Sequence, residues 1–140
     1  MITKKTEYAI RTLSELAQNP DDRLTANVVA QRQGIPPKYL PQIVAELCQA
    51  GLLRSVRGYG GGIRLNSPAS EITLLTIIEA MQGKPKLFDC QISDVECTNC
   101  TKCDLQLIYD RALTALEDVF RGTVLSDITV KRRTRGRNGK

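Results

Sequence analysis

The sequence predicts a mainly α-helical fold with one small β-hairpin and a long C-terminal helix. Three observations lead to this prediction. Several segments place apolar residues at helical spacing, two short strand-like runs flank a glycine-rich segment at residues 58–62, and 41% of the residues are hydrophobic. This content supports a packed core in a chain of 140 residues. Because the chain has four tyrosines, two phenylalanines and no tryptophan, we expect that core to be aliphatic.

The first two predicted helices each begin at a residue suited to cap them. The first spans residues 3–18 with Thr3 as a possible N-cap, and residues 19–22 end it. The second begins after Thr25, which can also act as an N-cap. Gly34 closes the second helix, because glycine readily adopts the left-handed conformation found after a helix end.

The third predicted helix follows the tight connection at residues 35–37 and runs to about Ala50. Pro41 is awkward within it, because a proline in a helix interior removes a backbone hydrogen bond. We therefore expect an irregular first turn, or a helix that starts nearer Tyr39. Cys48 lies among the apolar positions of this helix, which predicts a small core residue and not a ligand.

The second half of the chain contains the hairpin and two more helices. Residues 52–57 and 63–66 are predicted strands that pair around the glycine-rich tip. Residues 72–82 form a predicted fourth helix. Residues 104–121 form a long amphipathic helix, and residues 123–130 can add a short final turn. The long helix has an apolar stripe that can pack on its own chain or on a second copy; it contains Leu105, Ile108, Ala112, Leu116, Val119 and Phe120.

The second and third helices match the spacing of a helix-turn-helix unit. Such a unit lays its second helix in the DNA major groove. Lys38, Tyr39 and Gln42 point away from the apolar face of that helix and are candidate DNA contacts. Lysine can bond to guanine acceptors, and glutamine can pair with adenine. The spacing alone also fits an ordinary helical hairpin.

The glycine-rich hairpin that follows favours the DNA-binding interpretation. We assign Arg57, Tyr59 and Gly60 to contacts of this wing with DNA, since glycine lets a backbone approach a narrow minor groove or phosphates closely. The run is not a phosphate-binding loop, because it lacks a Gly-Lys-Ser/Thr ending and a following helix. The sequence therefore predicts a winged helix-turn-helix DNA-binding domain over residues 1–83.

Four cysteines lie in residues 84–103, a segment without hydrophobic periodicity. Cys90, Cys97, Cys100 and Cys103 are spaced C-x6-C-x2-C-x2-C. In a cytosolic chain such a group is more often a metal site than a pair of disulfides. Thiolates suit an iron–sulfur cluster and zinc alike, and the spacing leaves both open with a small preference for the cluster.

Composition excludes several other functions. The chain has no histidine, which removes the usual general base and the commonest nitrogen ligand of metals, so we do not expect an enzyme or a small-molecule substrate. No apolar run approaches about 18 residues, which predicts a cytoplasmic protein without a membrane partner. The net charge of +5 comes from the tail at residues 131–140, which we expect to be disordered and to add salt-sensitive affinity for DNA. A small electron-transfer or scaffold protein is the competing class, and the helix-turn-helix and wing argue against it.

Residues 32–65, RQGIPPKYLPQIVAELCQAGLLRSVRGYGGGIRL, resemble the winged-helix segment of the bacterial IscR/NsrR/CymR family of regulators. The opening TKKTEYAIRTL and the cysteine segment fall in the same order as in that family. The resemblance implies a transcription regulator, with repression as the expected mode. It also implies a homodimer formed through residues 104–130 on a near-palindromic operator. In IscR-like proteins the position of Pro41 usually carries a glutamate important for choosing between operators, so operator identity is not carried over.

The resemblance further implies an iron–sulfur cluster, [2Fe-2S] or [4Fe-4S], in the cysteine segment. Cys97 and Cys103 keep the interval of the last two cysteines of cluster-binding members, and Cys90 resembles the first with one additional residue before the second. Cys100 is then an extra thiol.

The fourth ligand varies among these relatives and stays open here. Gln106 stands where IscR-like proteins have a histidine. In NsrR-like relatives an acidic residue from the first helix of the other subunit completes the site, and Glu7 matches that position. Either the four cysteines bind within one subunit, or three cysteines bind with Glu7 of the partner subunit. The alternative function is a zinc-stabilised or thiol-redox regulator without an iron–sulfur cluster.

Overall fold

The structure is a computed structural model that describes residues 2–58, 61–87 and 104–128. Its α-helices and strands follow one another along the chain in the order α1 (Lys4–Gln18), α2 (Ala26–Gln33), α3 (Leu40–Gln49), β1 (Leu53–Val56), β2 (Gly62–Leu65), α4 (Leu74–Gln82) and α5 (Asp104–Arg121). Short 3₁₀ turns at Pro37–Tyr39 and Leu125–Asp127 precede α3 and follow α5. The mainly helical fold with one hairpin is thus the predicted one.

The capping residues proposed for the first two helices act as expected. The Thr3 hydroxyl oxygen accepts a hydrogen bond from the Thr6 amide at 3.2 Å, and that of Thr25 accepts one from the Val28 amide at 3.3 Å. Each cap satisfies an amide that has no partner inside its helix. Gly34 ends α2 with φ of 65°, the left-handed conformation that glycine adopts without strain.

The irregular start predicted for the third helix is also present. The chain first forms the 3₁₀ turn at Pro37–Tyr39, and α3 begins at Leu40. Pro41 therefore lies in the first turn of α3, where its missing amide hydrogen costs no intrahelical bond.

β1 is two residues shorter than predicted, β2 keeps its predicted length but lies one residue earlier, and α4 begins two residues later than predicted. β1 and β2 pair antiparallel with Arg54 opposite Arg64, and the Ile63 amide also donates to the Leu24 carbonyl at 2.8 Å. The late start of α4 has a local cause, because the Thr73 hydroxyl oxygen accepts from the Thr76 amide at 3.1 Å and so caps the helix.

The core is aliphatic, as the composition predicted, and it draws on every helix except α5. Its buried members include Leu13, Val29, Leu40, Ile43, Leu47, Leu53, Ile77 and Leu125. Cys48 is only partly buried and packs against this core from α3. Burial raises the pKa of its thiol, which fits a packing role and not that of a reactive thiolate.

The long helix α5 has the predicted bounds but none of its residues is buried. Leu116 and Phe120 line a small cavity with Ile2, Ile78 and Pro85, so part of the apolar stripe faces its own chain. Four other large apolar side chains of α5 are between 55% and 65% exposed in the described part of the chain; they are Leu105, Leu107, Ile108 and Val119. The apolar side of α5 therefore divides into a part that contacts its own chain and a part that is exposed.

Helix α1 is held at both ends by polar side chains. Near its start, the Thr6 hydroxyl donates to Gln82 Oε1 at 2.7 Å, and the Thr3 amide donates to the same oxygen at 3.0 Å. Near its end, Gln33 Nε2 donates to the buried Glu15 carboxylate at 2.6 Å. These contacts fix the position of α1 against α4 and α2. No described helix combines the length and apolar character needed to cross a membrane.

Candidate nucleic-acid interface

The start of the third helix presents the three DNA contacts predicted from it on one exposed surface. Lys38, Tyr39 and Gln42 are exposed, whereas Leu40 and Ile43 of the same turns are buried in the core. Helical geometry separates the two sets, since residues three positions apart, such as Tyr39 and Gln42 or Leu40 and Ile43, lie on the same side. The structure therefore brings these three predicted residues together.

The N-terminal turns of α1 extend this surface with two lysines and a second tyrosine. The rings of Tyr8 and Tyr39 lie 6.0 Å apart between centroids at an angle of 31°. Lys4 Nζ lies 5.4 Å from the Tyr8 ring centroid, and Lys38 Nζ lies 5.0 Å from that of Tyr39. Aromatic faces attract ammonium groups at such distances. The result is a continuous row of cations and rings from α1 to the start of α3.

A cavity of about 360 Å³ separates α1 from α3 within this surface. It is lined by Lys4, Lys5, Tyr8, Tyr39, Gln42 and Ile43. Ammonium groups and tyrosine hydroxyls are donors that suit phosphate oxygens, and donors of this kind make a large share of protein contacts to DNA backbones.

A carboxylate also belongs to this surface. Glu46 lies one turn after Gln42 on α3 and accepts hydrogen bonds from Lys5 Nζ at 2.9 and 3.2 Å and from Gln42 Nε2 at 3.0 Å. The hydrogen bond from Lys5 lowers the pKa of Glu46, desolvation opposes this, and the bond from Gln42 lowers it further. The carboxylate is therefore ionised at neutral pH, and Lys5 offsets its charge.

The wing is described in part. Arg57 is exposed at the end of the hairpin, and Gly58 follows with φ of 103°. Gly61 closes the turn by donating its amide to the Gly58 carbonyl at 2.8 Å. Tyr59 and Gly60, the other two predicted wing contacts, lie outside the described residues.

Close backbone approach explains two wing glycines, and at Gly61 an added Cβ would clash with the carbonyl oxygen of Val56. A Cβ at Gly62 would lie 2.5 Å from the Leu24 carbonyl oxygen, so a larger residue would push β2 away from that segment. On the outer face of the hairpin, Arg54 and Arg64 are paired directly across the strands, and neither forms an ion pair in the described part of the chain.

All four predicted thiolate ligands, Cys90, Cys97, Cys100 and Cys103, lie outside the described residues. Within the described ranges, no three Cys, His, Asp or Glu side chains group as a metal site. Glu7, the alternative ligand, pairs instead with Lys4 at 3.0 Å and Arg11 at 2.7 Å on its own helix. The hydrogen bond from Lys4 and the charges of Arg11 and Lys4 lower the pKa of Glu7 against the opposing effect of desolvation.

Sequence reasoning missed the contributions of Lys4, Lys5, Tyr8 and Glu46 to this surface. The Gln42–Glu46 pair has a signal in sequence, because residues four apart on a helix are neighbours. The bond between Lys5 and Glu46 has none, since 41 positions separate them and only the packing of α1 on α3 brings them together.

Comparison with known proteins places the whole fold among regulators. The family model Rrf2, described as an iron-dependent transcriptional regulator, matches residues 2–131. Protein aau3 of Rhizobium meliloti (strain 1021) is 32% identical over 132 residues, covering 94% of this chain and 86% of that protein. The solved structure of T. potens IscR has a TM-score of 0.74 at 26% identity, covering 91% of this chain and 84% of that one. That of CymR (YrzC), the global cysteine regulator of B. subtilis, has a TM-score of 0.73 at 28% identity, covering 92% and 95%. These structures confirm the winged-helix architecture.

Proposed function

The chain belongs to the Rrf2 family of transcriptional regulators, and from that membership we propose that it binds a near-palindromic operator as a homodimer and responds to iron–sulfur cluster status, iron, redox conditions or nitric oxide. A DNA-binding regulator, and not an enzyme, is what the relatives support directly. The operator, the dimer and the cysteine-bound cluster are the parts that this proposal adds.

The main support for DNA binding is the exposed surface that Lys38, Tyr39 and Gln42 form beside the lysines of α1. Gln42 is assigned to a base edge, because its amide can both donate and accept. Lys38 and Lys4 are assigned to phosphates or guanine. Arg57, with Tyr59 and Gly60, is assigned to the minor groove or its phosphates, where arginine is favoured electrostatically. The tail at residues 131–140 adds affinity that does not depend on sequence.

The homodimer is assigned to α5. A row of leucine, isoleucine and valine side chains that are more than half exposed is unusual on a monomer surface, and a second copy of the helix would cover it. A two-fold dimer would present its recognition helices to half-sites about one helical turn apart. A symmetric protein of this kind requires a near-palindromic operator.

The cysteine segment is assigned to the sensor. Cys90, Cys97, Cys100 and Cys103 would hold the cluster, because four thiolates are a complete ligand set for iron–sulfur chemistry. When bound, such a cluster supplies a group that reacts with oxygen or nitric oxide. The ligand bonds would order residues 84–103, and α5 begins at Asp104, directly after Cys103. Order in the segment would therefore affect the start of the dimer helix.

The set of four cysteines is the better supported of the two ligand models. Glu7 would have to leave both Lys4 and Arg11 in order to bind iron across the dimer. The four-cysteine model breaks no ion pair of this kind. Cys100 lies three positions after Cys97 and three positions before Cys103.

A second function has support from one comparison. The similarity over 92% of the chain to CymR, a global cysteine regulator, keeps open the alternative of a zinc-stabilised or thiol-redox regulator with the same mode of DNA binding and no iron–sulfur cluster. The two functions predict different metal contents and the same operator geometry.

The deciding experiment uses the full-length protein purified without oxygen. Its visible absorption spectrum is recorded, iron, sulfide and zinc are quantified, and duplex binding is measured on the same sample before and after metal removal. Iron and sulfide in cluster stoichiometry, together with different DNA affinity in the two states, support the proposal. Zinc without colour supports the alternative. Equal affinity of both states refutes sensing, because a ligand must favour one state to switch it.

The ligand models are separated by two variants. Cys100→Ser should lower iron and sulfide content if the four cysteines bind, whereas Glu7→Gln should leave it unchanged. The reverse result would favour the site that includes Glu7 of the partner subunit.

A further inference from the structure

Gln42, the residue assigned to a base edge, is hydrogen-bonded to another side chain of α3 in this structure. Its Nε2 donates to Glu46 Oε1 at 3.0 Å, one helical turn away on the exposed side of α3. A side chain held in this way loses less rotational freedom when it binds DNA than an unrestrained glutamine would.

The chemistry of the partner decides which end of the amide is held. An ionised carboxylate has only acceptor oxygens, so only the NH₂ group of Gln42 can face it. The amide then directs its carbonyl oxygen and its second N–H away from Glu46. Adenine offers a matching donor and acceptor on its major-groove edge, N6–H and N7.

From this geometry we propose that Glu46 is a positioning residue for sequence recognition: held by Lys5 of α1, it fixes the orientation of the Gln42 amide and so favours adenine at the base pair that Gln42 reads. This inference rests on the proposed function, since it concerns how the same surface reads DNA.

Lys5 holds the Glu46 carboxylate in place. Its ammonium group donates to both oxygens of Glu46 at 2.9 and 3.2 Å, and it comes from a different helix. Helix α1 is itself held at this end by the bonds from Thr3 and Thr6 to Gln82. Lys5 also offsets the negative charge of Glu46, which would otherwise repel nearby phosphates.

A positioning role differs from a simple charge effect. A carboxylate that only repelled DNA would, on removal, raise affinity for all sequences alike. A carboxylate that orients Gln42 would, on removal, lower the preference at one base pair. The two effects are distinguished by comparing affinities for duplexes that differ at one base pair, because affinity for a single duplex does not separate them.

The experiment first selects preferred duplexes from a random library with the full-length wild-type protein. Affinity is then measured by fluorescence anisotropy on duplexes carrying each base pair at every selected position. The Gln42→Ala variant identifies the base pair that Gln42 reads. Glu46→Ala and Glu46→Met remove the acceptor, the latter with little change in side-chain length, and Glu46→Gln keeps one acceptor oxygen. Glu71→Ala removes an exposed carboxylate outside this network as the matched control.

We expect Glu46→Met to lower the preference at the Gln42 base pair by roughly tenfold, within the range of one amide–base contact. Glu46→Gln should restore part of it, Lys5→Ala should weaken it, and Glu71→Ala should leave it unchanged. The Gln42→Ala/Glu46→Met double variant should lose no more preference than Gln42→Ala alone.

Three results would overturn the inference: full preference in Glu46→Met, additive losses in the double variant, or no base pair that depends on Gln42. Failure of the proposed function looks different, because the wild-type protein itself would then select no sequence. If Glu46→Ala fails to fold, as judged by circular dichroism, Glu46→Met and Lys5→Ala decide.

Discussion

Leu125 is the side chain through which the segment after α5 returns to the core. It is fully buried, and its amide donates to the Ile72 carbonyl at 2.8 Å. The Leu74 amide donates to the Thr123 carbonyl at the same distance, so two backbone bonds and one buried leucine join this segment to α4. We predict that Leu125→Ala destabilises the folded chain substantially.

The size of the effect follows from the burial. The substitution removes three carbon atoms from the core, and about 0.8 kcal/mol for each buried methylene gives roughly 2.4 kcal/mol. The space left behind is surrounded by residues of several elements and collapses only in part, which raises the expected loss to the range of about 2–5 kcal/mol.

The measurement is the free energy of unfolding of the full-length protein in urea, followed by circular dichroism. Leu107→Ala is the matched control, since Leu107 is 65% exposed and the same atoms are removed. Leu107 belongs to the proposed dimer surface, so both variants are compared at several protein concentrations. A loss below about 1 kcal/mol for Leu125→Ala at every concentration would contradict the packing described here.

Four further predictions concern DNA binding, assembly and stability. Lys38→Ala should weaken binding to all duplexes and should reduce the slope of log affinity against log salt concentration by about one. Arg57→Ala should reduce affinity most for duplexes with a narrow minor groove. Both effects are measured by anisotropy titrations at increasing salt concentration. Ile108→Glu should convert the dimer to monomer in sedimentation equilibrium, because it buries a charge in the proposed interface, and an unchanged mass would reject α5 as that interface. Gln82→Met should lower unfolding free energy by about 1–3 kcal/mol through the loss of the acceptor for Thr3 and Thr6, and a denaturant midpoint equal to wild type would argue against that role.

Local chemistry explains why much of the fold was predictable. Thr3, Thr25 and Gly34 mark helix ends because each satisfies or permits a backbone conformation that its immediate neighbours require. The 3₁₀ turn before α3 follows from Pro37 and Pro41 in the same way. Such features involve residues within four positions, and sequence displays those neighbours directly.

The parts that sequence reasoning did not reach depend on contacts distant in the chain. Lys5 meets Glu46, and Thr6 meets Gln82 across 76 positions, only because α1 packs between α3 and α4. The apolar stripe of α5 is a similar case. Its periodicity is visible in sequence, but the division into a part facing Ile78 and a part facing outward depends on where the turn at Leu125–Asp127 brings the chain back to the core.

The position of the cysteine segment in the chain connects the proposed sensor to both halves of the protein. The segment begins just after Gln82, whose side chain holds the start of α1, and α1 in turn supplies Lys5 to the recognition surface. It ends at Cys103, directly before α5, the proposed dimer helix, begins at Asp104. If the order of this segment changes with the cluster, as we propose, two structural routes would connect it to DNA binding: the placement of the side chains proposed to read bases, and the spacing of the two DNA-binding domains in the proposed dimer. The first route alters which sequence is preferred, and the second alters affinity for a given half-site spacing, so measuring both in loaded and metal-free protein distinguishes them.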